Sequence, residues 1–159
     1  MTFLIRPAVE SDTDQIYRMI RELAEFEKLS DQVVSTEASI RTCLFGENSV
    51  AEALVVERQE ALIGFAIYFY NFSTFVGRRG LYLEDVYIKP EFRRQGIGKA
   101  ILVELAQIAQ KNHCGRFEWT VLDWNTNAIA FYEGLGARIL SDWRIARLDA
   151  EGIQRLANT

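Results

Sequence analysis

Cysteine, histidine and proline are scarce in this sequence of 159 residues, which has two cysteines, two prolines and one histidine. Cys43 and Cys114 are far apart, and His113 is the only imidazole, so the sequence offers no Cys/His ligand set for zinc. We therefore expect no metal, no disulfide framework and no cysteine nucleophile.

Long apolar runs are also missing. None approaches the roughly 18 residues that a membrane span needs, and Arg6 and Pro7 come too early for a signal-peptide core. We expect a cytoplasmic protein with no membrane partner. The net charge of −4 disfavours nucleic acid and suits a small cationic ligand, although such mild acidity can also serve solubility alone.

The hydrophobic fraction of 49% and the charged fraction of 25% are those of a globular protein. We expect residues 1–159 to form a single domain. Ser11 and Asp14 resemble a capping box for the first helix, and Ser35 or Thr36 is expected to cap the second. The patterns predict a mixed α/β (α+β) fold with strands at residues 3–6, 50–57, 61–71, 81–88, 116–122, 138–140 and 143–148, and helices at 11–26, 36–46, 98–112 and 125–135.

Residues 93–98, Arg-Arg-Gln-Gly-Ile-Gly, form a basic turn between a predicted strand and a predicted helix. The first turn of a helix has unpaired N–H groups and the positive end of the helix dipole, so it binds phosphate readily. Alone the turn is a weak signal, because many α/β domains need glycine there. No Lys-Ser or Lys-Thr follows Gly98, which excludes a P-loop, and the missing third glycine argues against a Rossmann site.

The same turn resembles the acetyl-coenzyme A signature of the GNAT superfamily of N-acetyltransferases, Arg/Gln-x-x-Gly-x-Gly/Ala. Further segments resemble the diamine (spermidine/spermine) acetyltransferases, most of all their thialysine acetyltransferase branch. The similarity covers nearly the whole chain and implies a mixed, mostly antiparallel sheet with splayed central strands flanked by helices. The segments that carry it are Glu25-Phe26-Glu27, Leu81-Tyr82-Leu83-Glu84-Asp85, Val121-Leu122-Asp123-Trp124-Asn125 and Phe131-Tyr132.

The resemblance implies that acetyl-coenzyme A binds along the strand and the turn. Its pantetheine would take backbone hydrogen bonds from Val86, Tyr87 and Ile88 as an added strand does. Asn125 and Tyr132 are also implied near the cofactor, although Asn125 is equally a good N-cap. The turn residues assigned to the pyrophosphate are Arg93, Arg94, Gln95, Gly96, Ile97, Gly98 and Lys99.

Catalysis requires a proton acceptor, because an alkyl ammonium with a pKa near 10.4 must lose a proton before it attacks. We expect Glu84 to accept that proton through water; the alternative is a solvated carboxylate. Strict alternation sends Glu84 and Asp85 to opposite faces, so both reach the substrate only if the strand bulges. The resemblance assigns Tyr132 as proton donor to the departing thiolate, whereas helical periodicity alone suggests a packed aromatic.

The acceptor site is expected to attract a cation. By the resemblance Glu27 lies on the substrate side, where Glu27, Glu84 and Asp85 could bind an amine. Phe26, Phe75 and Trp143 could line its aliphatic part or be ordinary packing. Ser73 stands near the position where spermidine-specific enzymes carry an acid, which favours a shorter acceptor such as thialysine, a lysine-like compound or a small diamine.

These features predict direct acetyl transfer from acetyl-coenzyme A to a small primary amine, without a metal or an acetyl-enzyme, by a protein whose relatives are usually homodimers. Two alternatives stay open. Within the class, the acceptor is a protein N-terminus, a lysine side chain or an aminoglycoside. Outside it, the chain is an acyl-coenzyme A sensor that binds without catalysis, although such a module would more naturally lack Glu84 and Tyr132.

Overall fold

A five-stranded sheet organises the larger part of the chain in a computed structural model that describes residues 2–159. Two compact units divide the chain, one reaching to Thr120 and the other spanning Val121–Thr159. The strands are β1 (Leu4–Pro7), β2 (Glu52–Arg58), β3 (Ala61–Ser73), β4 (Arg78–Ile88) and β5 (Arg116–Trp119). The α-helices are α1 (Thr13–Phe26), α2 (Glu37–Phe45) and α3 (Ile97–Lys111) in the first unit, and α4 (Thr126–Gly134) and α5 (Ala150–Ala157) in the second.

The strands lie in chain order, β1-β2-β3-β4-β5, and only the β4–β5 pair is parallel. This confirms the mixed, mostly antiparallel sheet. The hairpin of β3 and β4 extends further than the expected loop at 72–80. Ser73 pairs with Arg78, and the Ser73 carbonyl accepts a 2.8 Å hydrogen bond from the N–H of Gly77, whose φ of +67° suits glycine.

Apolar side chains of α1 and α2 pack on one face of the sheet, while α3 contacts β4 and β5. Full burial of one such side chain stabilises the fold by about 1.5–3 kcal/mol. Together these contacts hold α1, β4 and the start of α3 in place. The central cluster contains Ile16, Met19, Leu44, Ala53, Val55, Leu62, Phe65, Ile67 and Tyr87.

The start of α1 differs from the prediction. The expected capping box of Ser11 and Asp14 is wrong, because a 3-10 turn at Glu10–Asp12 precedes the helix. The Asp12 carboxylate instead accepts hydrogen bonds from the Val9 N–H and the Arg6 guanidinium, both at 2.8 Å. Burial raises the pKa of Asp12, but these hydrogen bonds outweigh it and leave the pKa lowered. Asp12 is therefore ionised, and its hydrogen bonds connect β1 to the start of α1.

The cap of α2 follows the prediction for Thr36, whose hydroxyl accepts a 3.1 Å hydrogen bond from the N–H of Ser39. The strands expected at 138–140 and 143–148 are wrong: neither segment forms a strand in the described chain, and β5 ends at Trp119. Alternating apolar residues suit a strand, but a strand also needs a neighbour for its backbone groups. None of the helices within residues 2–159 is both long and apolar enough to span a membrane.

Candidate active site

A β-bulge in β4 forms the centre of the candidate site. Asp85 pairs with Ile67 of β3, and Leu83 pairs with the next residue, Tyr68, so Glu84 is the extra residue between two pairs. The bulge that the sequence required is therefore confirmed. It breaks strict alternation and allows the neighbouring side chains of Glu84 and Asp85 to serve one side of the strand.

Three carboxylates are grouped around this bulge. Burial, followed by the negative charges of Glu84 and Glu27, raises the pKa of Asp85 to about 6. Glu27 follows the last residue of α1, and burial raises its pKa as well. The structure thus brings Glu27, Glu84 and Asp85 into electrostatic contact, where a bound cation would relieve their repulsion.

The backbone of β4 beyond the bulge is open on one side. β5 pairs with β4 only over Gly80–Leu83. Within residues 2–159, no other strand pairs with the rest of this edge of β4. The N–H of Lys89 donates a 2.9 Å hydrogen bond to the Ile63 carbonyl. Because antiparallel pairs alternate, the backbone of Tyr87 points to β3, whereas Val86 and Ile88 point to the open side. Val86 and Ile88 can therefore bind a ligand as an added strand, whereas the expected contact with the backbone of Tyr87 is not supported, because that backbone already faces β3.

The turn after β4 has the backbone of an anion site. Gly96 is the N-cap of α3 with φ of +80°, and Arg94 is also left-handed with φ of +60°. The first helical hydrogen bond runs from the N–H of Ala100 to the carbonyl of Gly96, at 3.0 Å. The N–H groups of residues 97–99 thus precede the helical ladder. Such a concave arrangement of N–H groups binds phosphate.

The side chain of Arg93 points into the protein. Its Nε donates a 2.8 Å hydrogen bond to the carbonyl of Ile88. Its guanidinium carbon lies 5.0 Å from the ring centroid of Phe26 and 5.5 Å from that of Tyr87. Arg94, by contrast, is exposed. The two arginines of the turn therefore face different surroundings.

Comparison with known proteins agrees with this geometry. A profile of the acetyltransferase (GNAT) family matches residues 14–137. The thialysine N-epsilon-acetyltransferase of Sus scrofa is 44% identical, with 97% of this chain and 96% of that protein covered. The one from Caenorhabditis elegans is 36% identical, with 98% of each covered.

The chain belongs to the GNAT acetyltransferase family. An integron cassette protein from V. cholerae shares the fold, with a TM-score of 0.82 at 25% identity over 100% of this chain and 99% of that one. The resemblance drawn from the motifs is thereby confirmed, and with it the GNAT fold.

In this GNAT acetyltransferase the other expected site residues are placed as follows. Phe26 ends α1 and is 44% exposed, while Phe75 lies in the β3–β4 turn and is 93% exposed. In the second unit, Asn125 caps α4 by accepting a 3.3 Å hydrogen bond from the N–H of Ala128. Tyr132 is half-buried in α4, with its ring 5.4 Å from that of Phe131. Trp143 follows in an irregular segment and is 74% exposed.

Sequence reasoning missed one polar contact beside the site. The hydroxyl of Tyr87 donates a 2.9 Å hydrogen bond to the carboxylate of Glu22 in α1. Burial, followed by this hydrogen bond, raises the pKa of Tyr87 to about 12. Glu22 lies three residues after the core residue Met19, so an acid bordering the apolar stripe of α1 was the available signal. Only the fold shows that Tyr87 is its partner.

Proposed function

We propose that this GNAT acetyltransferase moves the acetyl group of acetyl-coenzyme A to the primary amine of a small cationic acceptor. The observation that carries the proposal is the bulge, which places Glu84 and Asp85 beside Glu27 at the start of the open edge of β4. A cation-attracting group and a strand edge suited to pantetheine thus adjoin each other within one unit.

The chain fits coenzyme A at two places. The open backbone groups of Val86 and the N–H of Ile88 suit the amides of pantetheine. The N–H groups at the start of α3, with Gly96 left-handed before them, suit the pyrophosphate. The bound thioester supplies the acetyl group. We retain Asn125 as a cofactor residue on the strength of the family resemblance.

The reaction forms a bond from the amine nitrogen to the acetyl carbon and breaks the bond from that carbon to sulfur. The ammonium must first lose a proton, and the thiolate must gain one. We assign proton removal to the Glu84–Asp85 pair. Because its pKa is about 6, Asp85 binds a proton more strongly near neutral pH than an ordinary aspartate does. Glu84 is exposed and can relay the proton through water. Tyr132 keeps the implied role of proton donor to the thiolate.

For the acceptor we propose thialysine, a lysine-like compound or a short diamine. Glu27 and Asp85 supply the negative charge, and Phe26, which directly precedes Glu27 and is partly exposed, offers an apolar side chain. Ser73, at the end of β3, adds no charge for the second amine of a long polyamine. The thialysine N-epsilon-acetyltransferases named above support this size of acceptor.

We also propose that residues 1–159 act as a single N-acetyltransferase domain, as a homodimer in the cytoplasm. Apolar side chains of the C-terminal segment are exposed in the single chain, which supports a protein partner. Light scattering on the purified protein measures the oligomeric state; a monomer at all concentrations would remove this part of the proposal. The exposed side chains are Ile139, Leu140, Trp143, Ile145 and Leu148.

The function is tested by release of free thiol from acetyl-coenzyme A in the presence of an acceptor panel. The panel contains thialysine, lysine, short diamines, spermidine, an aminoglycoside and peptides with a free N-terminus. We expect the highest kcat/KM with thialysine or a short diamine. A preference for peptides or the aminoglycoside would replace the proposed acceptor. Tight binding of coenzyme A with no thiol release on any acceptor would show a sensor instead of an enzyme.

A further inference from the structure

Arg93 is the basic residue of the glycine turn whose charge is already engaged inside the protein. Its Nε–H donates a hydrogen bond to the carbonyl of Ile88, and its guanidinium carbon lies over two aromatic rings. Hydrogen bonds from a charged donor are stronger than those from a neutral one, and cation–π contacts add to them. Releasing Arg93 toward a phosphate would forfeit these contacts.

The contacts of Arg93 join two parts of the site. Ile88 belongs to the open edge of β4, on the side of the proposed pantetheine. Phe26 is the last residue of α1, next to Glu27 on the acceptor side. The last turn of α1 contains no basic residue of its own, so Arg93 supplies the positive charge that a helix C-terminus favours.

A second connection runs parallel to the first. Glu22 of α1 accepts the hydroxyl hydrogen bond of Tyr87, and the ring of Tyr87 faces the guanidinium of Arg93. Glu22, Tyr87, Arg93 and Phe26 thus form a continuous chain of contacts from α1 through β4 to the turn. The matching residue without these contacts to α1 is Arg94, which is exposed and left-handed.

We propose that Arg93 is a positioning residue, which holds the acceptor end of α1 against the coenzyme A edge of β4. This inference rests on the proposed function. Its consequence is that Arg93 affects binding of the acceptor and of the pantetheine alike. Of the two arginines in the turn, Arg94 is the one whose charge is available to the pyrophosphate. The carbonyl of Ile88 is meanwhile satisfied by Arg93, which leaves the Ile88 N–H and the Val86 groups for the ligand.

The test compares Arg93→Met with the matched variant Arg94→Met on two donors. Acetyl-coenzyme A carries the pyrophosphate, whereas S-acetylpantetheine does not. We expect Arg93→Met to lower kcat/KM by about tenfold for both donors, the loss of one charged hydrogen bond, and to raise the KM for the acceptor at saturating acetyl-coenzyme A. Arg94→Met should lower kcat/KM for acetyl-coenzyme A alone. A loss confined to acetyl-coenzyme A in Arg93→Met, with an unchanged acceptor KM, would overturn the proposal.

A second measurement does not depend on turnover. Thermal unfolding of Arg93→Met, Phe26→Leu and the double variant measures whether the two side chains are coupled. We expect the double variant to lower the unfolding midpoint by less than the sum of the single shifts. Additive shifts would refute the positioning role even if the enzyme is active. If the two side chains are coupled but the protein releases no thiol with any acceptor, the contact between Arg93 and Phe26 stands and only the proposed function is rejected.

Discussion

Asp85 of β4 lies opposite Ile67 of β3, although the next pair along this ladder is Leu83 with Tyr68. The single unpaired residue between them, Glu84, places two consecutive carboxylates at the point where β4 loses its contact with β5. Burial, with added repulsion from Glu84 and Glu27, raises the pKa of Asp85 to about 6. A backbone irregularity of one residue thus determines both the charge and the access of the site.

The first prediction concerns the pH dependence of kcat/KM. If the enzyme takes the proton of a bound ammonium, kcat/KM requires ionised Asp85 and protonated amine, and it falls below pH 6 as Asp85 becomes protonated. We expect a plateau above about pH 7 in the wild type. Asp85→Asn should lower the rate and remove the limb near pH 6. A limb that persists in Asp85→Asn and disappears in Glu84→Gln would assign it to Glu84.

The same aspartate should reduce stability. An aspartate whose pKa rises from 3.8 to about 6 on folding loses about 3 kcal/mol of stability at neutral pH, because the folded state disfavours its charge. Asp85→Asn should therefore raise the free energy of unfolding at pH 7 by up to about 3 kcal/mol. The gain should shrink as the pH falls from 6 toward 4, where folded Asp85 becomes neutral.

Urea unfolding of the wild type and Asp85→Asn at several pH values measures this difference. Glu84→Gln is the control, since it removes the neighbouring charge but leaves Asp85 buried, and it should give a smaller gain. A constant difference between the wild type and Asp85→Asn from pH 4 to pH 7 would contradict the origin in ionisation.

Gly96 should be required for its backbone conformation. Its φ is +80°, and a Cβ there would meet no atom within 4 Å. A side chain at this position is therefore disfavoured by the backbone conformation and not by lack of space. We expect Gly96→Ala to lower the free energy of unfolding by about 1–2 kcal/mol and to weaken coenzyme A binding. Gly134→Ala, in α4 with equal space and no positive φ, should be neutral or stabilising by up to about 1 kcal/mol. Chemical unfolding and calorimetry measure both; equal losses would reject the explanation.

Tyr132→Phe removes only the hydroxyl that the family resemblance implies as the proton donor. We expect kcat to fall by about 10²–10⁴-fold, the usual contribution of a general acid. Affinity for coenzyme A, measured by calorimetry, should stay near that of the wild type. Tyr82→Phe, a hydroxyl deletion in β4, serves as the control. Unchanged kcat in Tyr132→Phe would remove Tyr132 from this role.

Local patterns predicted much of the fold because they act within a few residues. The β2–β3 hairpin, the cap at Thr36 and the helix after Gly96 each depend on neighbours in the sequence. The start of α1 was predicted wrongly because the Asp12 carboxylate bonds Arg6 and the backbone of Val9, outside the helix. The strands predicted at 138–140 and 143–148 are absent for a related reason: alternating side chains do not by themselves provide a neighbouring strand for the backbone to pair with.

The sequence by itself determined the glycine turn and the need for a bulge, because these follow from residue types at short spacing. It also indicated the family, through the resemblance of several motifs in order along the chain. Tertiary structure alone decided that Glu84 is the extra residue, that burial tunes Asp85, and that Arg93 turns inward to Ile88 and Phe26. Each of these depends on contacts between segments distant in the chain. Burial and pairing are properties of the folded neighbourhood, which one-dimensional spacing does not contain.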